Sequence, residues 1–166
     1  MWQITVRRTA ILNSHRTVQV NGLPWGDLEN RCQGLYANSV EGLLVEECVL
    51  DHNGWSDGYE TDPDKQSTSM YSHNLYLNTS NRDLTVRGNI NARAGSQGLR
   101  DGSGQFYVGN AMIQNNVGGY SWDDDGNGNF TTFMDNALID PARKVAPGVG
   151  NGGVGWSMKD VAGSQA

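Results

Sequence analysis

The segment SHNLYLNTSNRDLTVRGNINARAGSQGLRD, from Ser72 to Asp101, decides how this chain folds. Its apolar residues come in short alternating bursts, Leu75 and Leu77, Leu84 and Val86, then Leu99, with Asn, Gly and Ser between them. Alternation over two or three positions, broken by turn formers, is the pattern of short strands and not of a helix. Charge gathers in the same place. Lys65, Arg82, Arg87, Arg93 and Arg100 face one acid, Asp83, between positions 65 and 100, in a chain whose net charge is −6. A cationic stretch inside an acidic chain points to one local anionic ligand, since general nucleic-acid binding needs a broad cationic face.

Working outward, the same unit recurs. Aligned on a strand valine, the chain gives Val6, Val45, Val86, Val108 and Phe133, followed five positions later by Ile11, Leu50, Asn91, Ile113 and Leu138. The steps are about 22 residues or nearly twice that, as in a repeat in which two units carry long insertions. Shifting the fourth unit by one residue would instead align Asn89 with Asn110. A second echo runs through Gly34-Leu35-Tyr36, Asn74-Leu75-Tyr76 and Gly98-Leu99-Arg100. A unit this small cannot bury its own apolar face and must stack on its neighbours, which makes parallel sheets. The expected fold is therefore all-β, a parallel β-helix of about five coils over residues 1–146, with 147–166 as a Gly-rich tail or end segment. Cys48, Asn89, Ala111 and Asn136 fall in the turn after the valine strand. The asparagines there either form an inward amide ladder or merely tolerate the turn.

Two insertions, 21–33 and 54–71, enter at matching phases and are expected to wall a groove on one side. Trp25, Trp55, Tyr59 and Tyr71 in them are sugar-stacking platforms or caps on their own loops. The 166 residues suit one domain, and 22 glycines against four prolines assign the turns to Gly and Asn. No apolar run reaches the length of a membrane-spanning helix, so neither membrane nor nucleic acid is an expected partner. The first residues lack a signal-peptide layout, so a leader was removed or the chain belongs to a longer protein. Cys32 and Cys48, sixteen positions apart, match no zinc or redox spacing and read as free thiols.

The repeat pattern over residues 2 to 140 resembles the right-handed parallel β-helix proteins of the pectate-lyase-like superfamily. That resemblance implies a right-handed coil and polysaccharide chemistry in an extracellular, periplasmic or virion-associated setting. Asp62-Pro63-Asp64, then Ser72-His73-Asn74-Leu75, then Gly98-Leu99-Arg100 are similar to the motif order of mannuronan C5-epimerases. Asp64 and Lys65 stand where that family has its His-Asp pair.

The chemistry can also be argued from residue types. Removing the proton beside a uronate carboxylate needs a cation to neutralise the carboxylate, a base, and an acid for the leaving oxygen. Arg100 offers the guanidinium fork, His73 a base that works near neutral pH, and Tyr76 the acid. By alternation Tyr76 points away from Leu75 and Leu77, whereas His73 joins it only if parity with Leu75 breaks. His52, Trp55, Tyr59, Lys65, Arg87 and Asp101 are the further candidates for substrate contact. Asp123, Asp125 and Asn127 resemble the first half of a calcium loop, with Met134 where the bidentate Glu would stand, so Ca²⁺ is the one candidate cofactor. The leading expectation is a lyase or C5-epimerase acting on an acidic polysaccharide. The alternatives are a non-catalytic tailspike or adhesin module, in either case a possible homo-oligomer, and a glycoside hydrolase using carboxylates such as Asp51, Asp57, Glu60, Asp62, Asp64 and Asp101.

Overall fold

The computed structural model describes residues 3–15, 31–55, 71–122, 130–140 and 154–159. Among them there is no helix, and fifteen strands form three five-stranded sheets. The first sheet holds β1 (Ile4–Arg7), β4 (Glu41–Glu46), β7 (Arg82–Arg87), β10 (Phe106–Val108) and β13 (Thr132–Met134). The second holds β2 (Ala10–Leu12), β5 (Val49–Asp51), β8 (Ile90–Ala92), β11 (Ala111–Ile113) and β14 (Ala137–Ile139). The third holds β3 (Gln33–Ala37), β6 (His73–Leu77), β9 (Gln97–Asp101), β12 (Val117–Trp122) and β15 (Val154–Lys159). Every third strand along the chain returns to the same sheet, and each pairs in parallel with its counterpart three strands away. β15 lies within the stretch expected to be a Gly-rich tail.

Alternation fills the interior. Val6, Val45, Val86, Tyr107 and Phe133 stand in one register column of the first sheet. Ile11, Leu50, Asn91, Met112 and Leu138 form the matching column of the second. The fourth unit is thus displaced by one residue from the valine alignment: Tyr107 and Met112 face inward where Val108 and Ile113 were expected. The Tyr107 ring is fully buried where the first three units place valine. Residues of all three sheets, among them Val45, Leu50, Leu75, Leu84, Leu99 and Met112, form one apolar cluster.

The corners explain the asparagines. Between the first and second sheets, Arg8, Glu47, Gly88, Gly109 and Asp135 all have φ between 50° and 64°. Between the second and third, Asn13, His52, Arg93, Gln114 and Asp140 have φ between 46° and 60°. Only Gly and Asn were expected to make these turns, yet most positions carry larger side chains. Their N–H groups reach across to the next triplet, as in Glu47 N–H to the Arg87 carbonyl at 3.2 Å and Arg93 N–H to Ile113 at 2.9 Å. The residue after three of the five first-corner positions then locks the turn. Cys48 N–H donates to Asn89 Oδ1 at 2.9 Å, Asn89 N–H to Asn110 Oδ1 at 3.0 Å, and Asn110 N–H to Asn136 Oδ1 at 2.9 Å. Each amide also donates backwards, Asn89 to the Val45 carbonyl and Asn110 to that of Val86. This is the inward ladder, with Asn110 in place of the expected Ala111.

A second ladder decides the shape of the third sheet. Ser14 N–H donates to Asn53 Oδ1 and Ala94 N–H to Asn115 Oδ1. These amides lie so close over the third-sheet strands that a Cβ on Gly34 would meet Asn53 Nδ2 at 2.6 Å, and one on Gly98 would meet Asn115 Nδ2 at 2.5 Å. Both echo glycines are therefore packing requirements.

Asn110→Ala would leave the Asn89 N–H buried without its amide acceptor, at about 1–3 kcal/mol, and would remove the amide's bonds to the Val86 carbonyl and Asn136 Oδ1, at about 0.5–1.5 kcal/mol each. Urea unfolding of this variant should show a stability lower by about 2–5 kcal/mol with an unchanged slope.

Candidate functional site

The candidate site is the outer face of the third sheet. Register places Tyr36, Tyr76, Arg100 and Tyr120 in one column on β3, β6, β9 and β12. Leu35, Leu75 and Leu99 stand one residue earlier and point inward, so the column faces out. Neighbouring strands lie about 4.8 Å apart, which brings the rings together. Tyr36 and Tyr76 have centroids 5.1 Å apart, and Trp122 lies 5.8 Å from Tyr76 and 6.0 Å from Tyr120.

Arg100 is set into these aromatics. Its guanidinium carbon lies 4.4 Å from the Trp122 centroid, 5.3 Å from Tyr76, 5.6 Å from Tyr120 and 6.0 Å from Tyr71. Cation–π attraction to four rings stabilises a half-buried charge, by about 0.5–2 kcal/mol for a good pair. Among the described residues no carboxylate forms an ion pair with it, and its Nε–H is buried without an acceptor. Other described strand arginines are held differently: Arg7 and Arg87 flank the buried Glu46 at 3.0 and 2.7 Å, and Arg82 donates to the Thr79 and Asn81 carbonyls at 3.1 and 2.7 Å.

The second ladder also positions His73. Asn74 turns inward, accepting the Asn53 N–H at 3.1 Å and donating to Asn91 Oδ1 at 2.8 Å. Leu75 is inward too, so alternation breaks between them and His73 emerges on the side of Tyr76. The two rings meet edge to face at 5.4 Å. The sheet thereby gathers His73, Tyr76 and Arg100. His73 is nonetheless completely buried, with neither ring nitrogen hydrogen-bonded among the described residues. Burial first, and the Arg100 charge second, hold its pKa well below the ordinary histidine value, so the imidazole is neutral at pH 7.

Asp101 does not join them. It follows Arg100, points inward and is 1% exposed. Its Oδ1 accepts from Ser103 N–H at 2.9 Å, Gly104 N–H at 3.2 Å and Gln105 Nε2 at 2.7 Å, and its Oδ2 from Thr131 Oγ1 at 3.0 Å. That makes it a turn clamp and not a ligand contact. Burial pushes its pKa up against the lowering effect of these bonds. Burial, followed by the Asp101 charge, raises Tyr107 well above the ordinary tyrosine value.

The remaining candidates scatter. Arg87 sits on the first sheet, paired with Glu46. His52 is a left-handed corner residue whose Nδ1 lies 3.2 Å from Asn13 Oδ1. Trp55 is 2% exposed, too enclosed to be a stacking platform. Tyr59, Lys65, Asp123, Asp125 and Asn127 lie outside the described residues, and no group of metal-ligating side chains occurs among the described ones. Cys32 and Cys48 are free thiols, Cys48 buried and Cys32 partly so. Sequence reasoning missed Tyr120 and Trp122. Gly119 hid them: it stands where the first three units have Leu, because the Trp156 ring of the next strand fills that space. Gly119-Tyr120 is the fourth copy of the Leu35-Tyr36 echo.

The Asp101 carboxyl has a folded-state pKa above its unfolded value, so its contribution to stability is largest below about pH 4 and is lost as pH rises through the folded pKa. Asp101→Asn removes that dependence. The stability of the wild type relative to this variant should fall from acid pH toward neutrality, measured by urea unfolding at several pH values; a constant difference would contradict the assignment. Comparison of the chain with protein-family models, with curated proteins and with solved structures finds no match.

Proposed function

We propose that the three sheets are the walls of a right-handed parallel β-helix and that the outer face of the third sheet binds an acidic polysaccharide. The observation that carries this reading is Arg100, a guanidinium over the Trp122 ring at 4.4 Å with no ion-pair partner among the described residues. A bare cation amid aromatic rings suits a carboxylated sugar: the rings take its apolar face and the fork takes its carboxylate. Trp122 Nε1 and the His73 nitrogens are buried beside it without partners among the described residues.

Within that reading, β-elimination or C5 epimerisation is the chemistry the grouping fits. Arg100 would neutralise the uronate carboxylate and neutral His73 would take the C5 proton. For elimination, Tyr76 would protonate the departing O4 as the C4–O bond breaks and a C4–C5 double bond forms; for epimerisation it would return a proton to the opposite face of C5. The second reading, a module that binds without turnover, is favoured by the complete burial of His73.

Titration calorimetry with alginate, pectate and a neutral glucan tests the binding. Arg100→Ala should weaken uronan binding at least tenfold, about 1.4 kcal/mol, while leaving any neutral-glucan signal unchanged. Equal binding of uronan by variant and wild type would sink the proposal. Ultraviolet absorbance of unsaturated uronate and solvent exchange at C5 separate the two readings. Activity abolished by His73→Ala supports catalysis, and binding without either signal supports the module.

A further inference from the structure

The two ends of the strand stack match each other. Among the described residues the edge strands of the three sheets are β1, β2 and β3 at one end and β13, β14 and β15 at the other, and all pairings run in parallel. One translation with rotation along the stack therefore sets all three edges of one molecule against the three opposite edges of another in the polarity that the internal pairs already use.

The hydrogen-bonding pattern continues across that junction. Within the chain each corner N–H reaches the next unit: Arg8 to the Glu46 carbonyl, Gly109 to Met134, Asn13 to Asp51 and Gln114 to Ile139. At the last unit the N–H groups of Asp135 and Asp140 have no such acceptor among the described residues, and the ladder stops at Asn136. At the first unit the equivalent carbonyls are those of Arg7 and Leu12. Side chains agree with the backbone. Phe133, Leu138 and Ile139 are 38%, 37% and 47% exposed at one end, and Ile4 and Leu12 are 46% and 50% exposed at the other. In the first corner column Arg8 opens the series and Asp135 closes it; inside the chain the same column already stacks Arg8 on Glu47 at 2.6 Å.

We propose that the β13 and β14 edges dock head to tail on the β1 and β2 edges of a second copy of this chain. Asp135 faces Arg8 of that copy, Phe133 lies over Val6, Leu138 over Ile11 and Ile139 over Leu12. The contact is heterologous, so it propagates instead of closing as a dimer. Parallel strand addition supplies the backbone bonds, and charge complementarity sets the direction.

Sedimentation velocity of the full chain over a hundredfold concentration range tests this. Mass should rise continuously with concentration, with no plateau at the dimer. Leu12→Lys and Ile139→Lys should each weaken association at least tenfold with unchanged far-ultraviolet circular dichroism. Leu12→Lys combined with Ile139→Glu should restore it by placing opposite charges across the junction. Asp135→Arg, which sets like charge against Arg8 and breaks no ion pair among the described residues, gives a third variant should the others fold poorly; it too should weaken association. A monomer at every concentration, a closed dimer, or single variants that associate like the wild type would each overturn the proposal.

Discussion

The structure depends on keeping a left-handed residue at the same place in every unit. Eight of the ten residues in the two corner columns are not glycine, and each such turn costs about 1–2 kcal/mol in backbone strain. The cost is tolerable because eight of these ten corner residues are tied through their N–H to the neighbouring unit. The corner N–H donates to the neighbouring unit, and the next residue is gripped by an asparagine amide that donates in turn to a strand carbonyl. Buried backbone groups must find partners somewhere, and at a corner the strand ladder cannot supply them. The amides do so, which is why a polar residue recurs in an otherwise apolar interior.

The same constraint shapes the candidate site. Asn74 is drawn inward to serve the second ladder while Leu75 remains in the core, and the break in alternation turns His73 toward Tyr76. Register then stacks Arg100 beside Tyr76 and Tyr120, and the space left by Gly119 admits the Trp156 ring. Local charge follows the same logic. Arg7 and Arg87 are neutralised by Glu46 on the first sheet and Arg93 by Asp51 at the second corner, whereas Arg100 faces rings. Of the cations the sequence groups together, Arg82 and Arg100 have no carboxylate partner among the described residues, and Arg100 is the one of the two set among aromatic rings.

Much of the fold was legible because parallel stacking repeats its demands. The valine and isoleucine positions, the Leu-Tyr echo and the ladder asparagines recur at the spacing with which the chain returns to the same sheet, 41 residues from Cys48 to Asn89 where an insertion intervenes and 21 from Asn89 to Asn110 where none does. The fourth unit slipped by one residue because Val108 imitates a core valine while Tyr107, the larger ring, takes the interior place. β15 falls in the stretch expected to be a Gly-rich tail or end segment, and its backbone pairs with β12 in the third sheet.

By itself the sequence determined the class of structure: short alternating strands with an Asn-rich turn chemistry can bury their apolar residues only against copies of themselves. It also determined that cations gather near Arg100. Only the tertiary structure decided which of those cations lies bare, that Asp101 and Trp55 are interior, and that His73 shares a face with Tyr76. Those outcomes depend on which side of a strand a residue leaves, and a one-residue break in alternation, invisible in composition or spacing, reverses that side.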